Sequence, residues 1–335
     1  MKPVIFGVSG HELTPDERAF FTEADPLGYI LFKRNCGTAQ QMKALTDSLR
    51  DLSGRDDLPI LIDQEGGRVS RMVPPEWPAF PAGAAFDALY EVAPISAIEA
   101  ARANAQALAM MLAEAGVTVN CAPLLDVRQP DVTPAIGDRA FGGDPMRVSA
   151  LGKAMLEGMR RGGVVGVVKH MPGHGRALVD SHYDLPHVTA DDAALAMDLE
   201  PFTRLNDAPM GMTCHVVFEA WDAERPATLS PKVIAEIVRG RIGFDGLLMT
   251  DDIDMKALSG TAGEKASQAL AAGCDVVLDC WARMDEMVEI AGLIGEATPA
   301  CVARLEHAMA TIASGPEPAE FATLIAKRDE LLALA

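Results

Sequence analysis

Basic residues are scarce in this 335-residue chain: 29 lysines and arginines stand against 48 aspartates and glutamates, a formal net charge of −19. Nucleic acids and anionic membrane surfaces are polyanions, so neither is an expected partner. Long apolar runs are missing too, and none approaches the ~20 residues that a membrane-spanning helix needs. The opening Met1-Lys2-Pro3-Val4-Ile5-Phe6-Gly7 is too short, and broken too early, for a secretory signal. The six cysteines (Cys36, Cys121, Cys214, Cys274, Cys280 and Cys301) include no Cys-x-x-Cys pair, and several sit inside apolar runs. They read as buried, reduced thiols. A reducing cytoplasm is the expected compartment.

Two further absences bear on fold and chemistry. The first apolar run is followed by Ser9-Gly10-His11-Glu12 and not by Gly-x-Gly-x-x-Gly, which argues against a doubly wound dinucleotide-binding sheet. That region also holds His11 alone, where a metal-dependent barrel hydrolase commonly carries a His-x-His pair. Neither a metal nor a cofactor is expected.

What is present is a regular alternation. Hydrophobic residues make up 49% of the chain, enough for a large core. Short apolar runs at residues 4–8, 28–32, 59–62, 117–120, 164–168, 210–214, 246–249 and 275–278 give eight candidate strands. Most lack polar alternation, as strands buried on both faces do. Helical spacing fills the intervals, as in Met42, Leu45, Leu49 and Leu52, or Leu151, Met155 and Met159. Ser230-Pro231 reads as an N-cap and first-turn proline, and Gly240 as the end of that helix. Residues 72–83 carry four prolines and read as a rigid loop, and residues from about 317 to 335 as an amphipathic terminal helix. Eight strand–helix units without a linker predict an α/β fold, a single (β/α)8 barrel domain spanning 1–335.

In such barrels the chemistry sits just past the carboxyl ends of the strands. Those positions here read Asp63-Gln64-Glu65-Gly66-Gly67-Arg68, Asn120, Lys169-His170, His215, Thr250-Asp251-Asp252 and Asp279. Asp251 follows an apolar run directly, so its carboxylate can serve as nucleophile, general base or metal ligand; a helix cap is the plainer role for it, and Asp252 suits capping or a supporting role. Residues 169–187 hold Lys169-His170-Met171-Pro172-Gly173-His174-Gly175-Arg176 and then Asp180-Ser181-His182, with no hydrophobic period, and so read as a loop. Asp180 two residues before His182 can bond one imidazole nitrogen and direct the other outward. Five of the seven histidines lie between 170 and 215, which also admits a metal cluster.

These segments carry a resemblance. Ile62-Asp63-Gln64-Glu65-Gly66-Gly67-Arg68-Val69, Ile136-Gly137-Asp138-Arg139-Ala140-Phe141-Gly142, residues 169–175, Asp180-Ser181-His182 and Met249-Thr250-Asp251-Asp252-Ile253-Asp254-Met255 follow in the order found in glycoside hydrolase family 3. The chain is similar to its short NagZ-type β-N-acetylglucosaminidases, without room for the C-terminal domains of longer members. The resemblance implies Asp251 as a nucleophile forming a covalent glycosyl-enzyme, His182 as general acid/base and Asp180 as its dyad partner. It implies Asp63, Arg71, Arg139, Lys169 and His170 as contacts to the terminal sugar. Ser70 departs from the glutamine usual in the family, while Arg71 is kept. An N-acetylglucosaminyl-anhydromuropeptide substrate, a part in cell-wall recycling and a monomeric state are likewise what the resemblance implies.

An imidazole with a pKa of about 6.5 can give and take protons near neutrality, as retention by double displacement requires. Pro172, Gly173 and Gly175 further suggest a dyad that swings on its loop between turnovers, while Lys169 and His170 stay fixed. Two rivals stand beside this reading: phosphorolysis, with phosphate in place of water, and a non-catalytic sugar-binding barrel.

Overall fold

The computed structural model describes residues 1–130 and 134–335. Eight parallel strands close into a barrel: β1 (Lys2–Gly7), β2 (Pro26–Leu31), β3 (Ile60–Ile62), β4 (Val119–Asn120), β5 (Val165–Met171), β6 (Met210–Thr213), β7 (Leu247–Asp252) and β8 (Val276–Asp279). Each pairs with its neighbours in chain order, and β8 returns to β1 through Val4↔Val277 and Ile5↔Leu278. A helix follows every strand, so each strand is covered on its outer face. The eight apolar runs of the sequence are these eight strands, as expected of a (β/α)8 barrel.

The lack of alternation has a direct cause. Val165 and Val167, Met210 and Met212, Leu247 and Met249, and Val276 and Leu278 point into one buried cluster inside the barrel. Their neighbours Val168, Leu248 and Val277 pack outward in the larger cluster beneath the helices. With both faces dry, each position is apolar, and a fully buried Val, Leu, Ile or Met side chain is worth about 1.5–3 kcal/mol.

The amino-terminal end of the barrel is plugged. Cys301, Leu305, Ala308 and Met309 of helix Pro299–Ala310 join the interior cluster. Arg304 Nη1 from the same helix bonds Asp275 Oδ1 at 2.9 Å, just ahead of β8. The carboxyl ends are the open rim.

Local details follow sequence chemistry with one correction. Ser230 Oγ accepts from Val233 N at 3.1 Å, as an N-cap should. The helix after it does not stop at Gly240; it runs on to Ile242 with π-type winding. Gly243 ends it with φ +73°, the left-handed geometry that closes helices and favours glycine. Gly240 keeps helical backbone and merely lacks a side chain. The chain's last helix covers Phe321–Leu332. Among the described residues no helix is long and apolar enough to cross a membrane.

Candidate active site

The open rim gathers most of the polar strand ends. β3 gives way to Asp63, and two glycines then turn the chain sharply. Gly66 has φ +106° and Gly67 φ +57°, and a side chain at Gly66 would meet the Pro81 carbonyl oxygen at 2.2 Å. The Asp-Gln-Glu-Gly-Gly-Arg motif is therefore a backbone requirement as much as a chemical one. Gln64 clamps the turn: its Oε1 accepts from Arg71 N (2.8 Å) and Met72 N (3.0 Å), and its Nε2 donates to Met72 O (2.8 Å). Asn120 locks Gln64 in turn by a reciprocal amide–backbone pair of 3.0 and 2.9 Å. Asn120 is thus a fastener for the loop that carries Asp63 and Arg71.

Strand β5 extends to Met171, so Lys169 and His170 belong to the strand itself. Lys169 is 2% exposed, with Nζ 2.9 Å from Asp63 Oδ1 and 2.7 Å from Glu65 Oε1. Arg139 grips Glu65 with two bonds, Nε to Oε2 at 2.8 Å and Nη2 to Oε1 at 2.7 Å. Arg71 Nη2 lies 3.2 Å from Asp63 Oδ2. Five alternating charges thus form one network, Arg71–Asp63–Lys169–Glu65–Arg139. Burial alone raises the Asp63 and Glu65 carboxyls, but the flanking cations outweigh it and hold both below the ordinary range. Burial likewise lowers the Lys169 ammonium, and Asp63 and Glu65 more than reverse it. All three are charged at neutral pH, which makes a rigid, polar floor.

Asp126 organises the histidines. Its Oδ2 sits 2.7 Å from His170 Nδ1, and its Oδ1 accepts from the backbone amides of His170 (3.2 Å) and His174 (2.6 Å). An ionised carboxylate only accepts, so His170 Nδ1 carries a proton toward Asp126. Its Nε2 faces Asp251, 4.0 Å from Oδ2. Asp251 closes β7 with its side chain 21% exposed, and its Oδ1 takes the Asp252 amide at 2.8 Å. Burial pushes its carboxyl up, yet His170, His215, that amide and Lys169 together hold it below the usual range. Asp251 is an ionised carboxylate in the barrel mouth.

The 169–187 segment leaves the rim beyond Met171 and is tied down at several points. Arg176 pairs with buried Asp198. Ser181, between Asp180 and His182, is 3% exposed and lies 3.2 Å from His174 Nε2, and its carbonyl accepts from Ala257 N at 3.3 Å. Burial pushes His174 down to about 4, so it is a neutral bridge. Asp180 Oδ1 accepts from His182 N at 3.0 Å and lies 2.7 Å from His182 Nδ1. The expected Asp-x-His pairing is therefore present, and it leaves Nε2 of a largely exposed imidazole (64%) without that partner. His215 stands apart: it is fully buried, with Nδ1 2.8 Å from Thr228 Oγ1 and Nε2 2.9 Å from Asp252 O. Among the described residues no group of three or more His, Cys, Asp or Glu side chains is arranged to hold a metal ion.

Two members of this site, Glu65 and Asp126, were given no role in the sequence, and a third, Asp279, was marked only as a strand end. Glu65 sat inside the quoted motif, and its pairing with Lys169 and Arg139 is a tertiary fact. Asp126 lies six residues past the end of β4 in Leu124-Leu125-Asp126-Val127, where a lone acid among apolar residues was the available signal. Asp279, 1% exposed, has an Oδ2 with no hydrogen-bond partner. Burial, then the charges of Asp252, Glu286 and Asp254, push its carboxyl up to about 7. A raised carboxyl stabilises the fold fully below its unfolded pKa near 4 and loses that contribution as pH rises through about 7. Asp279→Asn is therefore expected to raise the melting temperature at pH 8 by about 2 °C or more while changing little at pH 5. Equal shifts at both pH values, read by thermal unfolding, would contradict this account of Asp279.

Comparison with known proteins bears on the family and the fold. The family described as "Glycosyl hydrolase family 3 N terminal domain" matches residues 14–314. A protein named beta-hexosaminidase from Chromobacterium violaceum is 39% identical over 316 residues, 91% of this chain and 86% of that protein. One of the same name from Alkalilimnicola ehrlichii is 38% identical over 283 residues, covering 83% and 80%. Among solved structures, NagZ from Neisseria gonorrhoeae in complex with N-trifluoroacetyl-D-glucosamine superposes with a TM-score of 0.88 at 29% identity, over 99% of this chain and 98% of that one. A family 3 β-N-acetylglucosaminidase from Paenibacillus sp. FPU-7 gives a TM-score of 0.87 at 31% identity, covering 98% and 67%. With the barrel, the charged rim and these matches extending over nearly the whole sequence, the chain belongs to glycoside hydrolase family 3.

Proposed function

We propose that this β-N-acetylhexosaminidase removes terminal, non-reducing β-linked N-acetylglucosamine with retention of configuration, residues 1–335 acting as one catalytic domain. The observation that carries the reading is the Asp180–His182 pair at 2.7 Å on the same rim as an ionised Asp251. Asp251 attacks C1 through Oδ2, since Oδ1 is engaged by the Asp252 amide. His182 donates the proton on Nε2 to the departing oxygen, and Asp180 steadies the imidazolium. In the second step neutral His182 takes a proton from water, which attacks C1 and frees Asp251. Asp180 is suited to this part: burial raises it, but its bonds from His182 hold it below the ordinary range and so ionised.

Asp63, Arg71, Arg139, Lys169 and His170 contact the terminal sugar. Lys169 has a third N–H left after Asp63 and Glu65, and Arg139 keeps N–H groups beyond those engaged by Glu65 and Ala135. The expected substrate is an N-acetylglucosaminyl-anhydromuropeptide met during cell-wall recycling in the cytoplasm, with the enzyme a monomer. Aryl β-glycosides with and without the N-acetyl group test the reading: fast release from the N-acetylglucosaminide alone supports it, and indifference to that group opposes it. Free N-acetylglucosamine as product in phosphate buffer, and not the sugar 1-phosphate, marks hydrolysis.

Asp126 offers a second check. Asp126→Ala strands three donors, two of them buried amides, and should cost about 3 kcal/mol or more in urea unfolding. Asp126→Asn keeps an oxygen for the amides but presents N–H to His170 Nδ1, reversing the imidazole's tautomer. Its kcat/KM should fall about 10- to 100-fold with much of the stability retained. An asparagine variant with wild-type kcat/KM would remove His170 orientation from the account.

A further inference from the structure

The chain has eleven phenylalanines, three tryptophans and three tyrosines, and among the described residues two of these aromatic side chains alone are exposed: Trp281 at 57% and Tyr183 at 73%. Trp77 and Trp221 are 7% and 6% exposed. Both exposed rings adjoin the proposed catalytic groups. Tyr183 follows His182 in the chain. Trp281 lies two residues past the end of β8, with Nε1 donating to Asp252 Oδ2 at 3.1 Å, and the Asp252 amide in turn binds Asp251.

Trp281 is held there by more than its ring. The preceding Cys280 carbonyl is fixed by the Arg34 guanidinium, and the following Ala282 has φ +56°, a left-handed conformation that alanine rarely adopts. The indole is thus committed at its polar edge and open on its face. A ring of this kind suits the C–H face of a pyranose, whose hydroxyl-bearing edges stay in water while its axial hydrogens pack on the negative π surface. The deeper charged floor of Asp63, Lys169 and Arg71 takes the terminal sugar, so a solvent-facing platform beside Asp252 meets the unit on the leaving side.

We propose that Trp281 is the stacking platform for the second, leaving-group sugar and that it sets the preference for a carbohydrate aglycone. The inference rests on the sugar-cleaving reading above. Trp281→Ala is expected to lower kcat/KM on an N-acetylglucosaminyl disaccharide about tenfold, mainly through KM, while changing the methyl β-N-acetylglucosaminide less than about twofold. Trp281→Phe should recover most of the loss. With the other two tryptophans buried, disaccharide added to Asp251→Asn should shift the tryptophan emission, and Asp251→Asn/Trp281→Phe should show no shift. Equal losses on both substrates, or an emission shift that survives loss of Trp281, overturn the platform alone. A wild-type enzyme inert on both glycosides overturns the reading and the platform with it.

Discussion

Asp251→Ala is expected to abolish turnover, with kcat reduced by about 10⁵-fold or more on every glycoside, because in the proposed mechanism Asp251 is the group that forms the covalent bond. The fold should survive. Asp251 lies at the open end of β7, and its loss removes a partly buried charge without emptying an apolar cavity. Asp251→Asn is the closer control, since its carbonyl oxygen can still accept the Asp252 amide. Thermal unfolding should therefore change little in either variant while activity vanishes in both. A variant retaining more than about 1% of kcat would reassign the nucleophile.

The second large effect concerns His182. General acid/base help is worth roughly 10²–10⁴-fold, and His182→Ala should lose that much on glycosides with poor leaving groups. With an activated aryl leaving group, which departs with little protonation, glycosylation should suffer far less. Asp180→Asn should follow the same pattern in weaker form, because it removes the negative charge that steadies the imidazolium yet keeps an oxygen near Nδ1. Equal losses for poor and good leaving groups would place His182 in binding and not in proton transfer.

Much of this architecture was legible in the chain, for a physical reason. A strand buried on both faces has to be apolar at nearly every position, so Leu247-Leu248-Met249 and Val276-Val277-Leu278 announce themselves. The polar residue that ends such a run falls at the rim. Asp251 was visible for that cause, and so was the Asp180–His182 spacing, because a contact two residues apart is local. The loop's inner fastenings were not local. Asp126 holds His170 and His174 across 44 and 48 residues of chain, and Glu65 meets Arg139 across 74. No spacing rule reaches that far, and which of several rim charges neutralise one another is decided only when the barrel closes. The helix that passes through Gly240 to Gly243 shows the complementary point. A glycine permits a helix end, but it is the left-handed turn at Gly243 that makes one.

Within residues 169–187 the sequence already set Lys169 and His170 apart from the Asp180–His182 tip, and the structure extends β5 to Met171, so that it includes the first pair. Lys169 and His170 sit within β5, clamped by Asp63, Glu65 and Asp126. Asp180 and His182 lie past Arg176 and Gly175, moored chiefly by the Ser181 contacts to His174 and Ala257. We read the first part as the fixed support of the terminal sugar and the second as the carrier of the proton. On that reading the two parts should respond differently to substitution: strand residues through KM and stability, dyad residues through leaving-group dependence.

The most direct measurement is to incubate the enzyme with a fluorinated, activated N-acetylglucosaminyl donor that forms the glycosyl-enzyme quickly and hydrolyses slowly, then digest it and sequence the labelled peptide by mass spectrometry. The account predicts one added sugar, carried on Asp251 in Leu247-Leu248-Met249-Thr250-Asp251-Asp252, and none in Asp251→Ala. A label on any other residue, or steady turnover with no covalent intermediate detected, would contradict it.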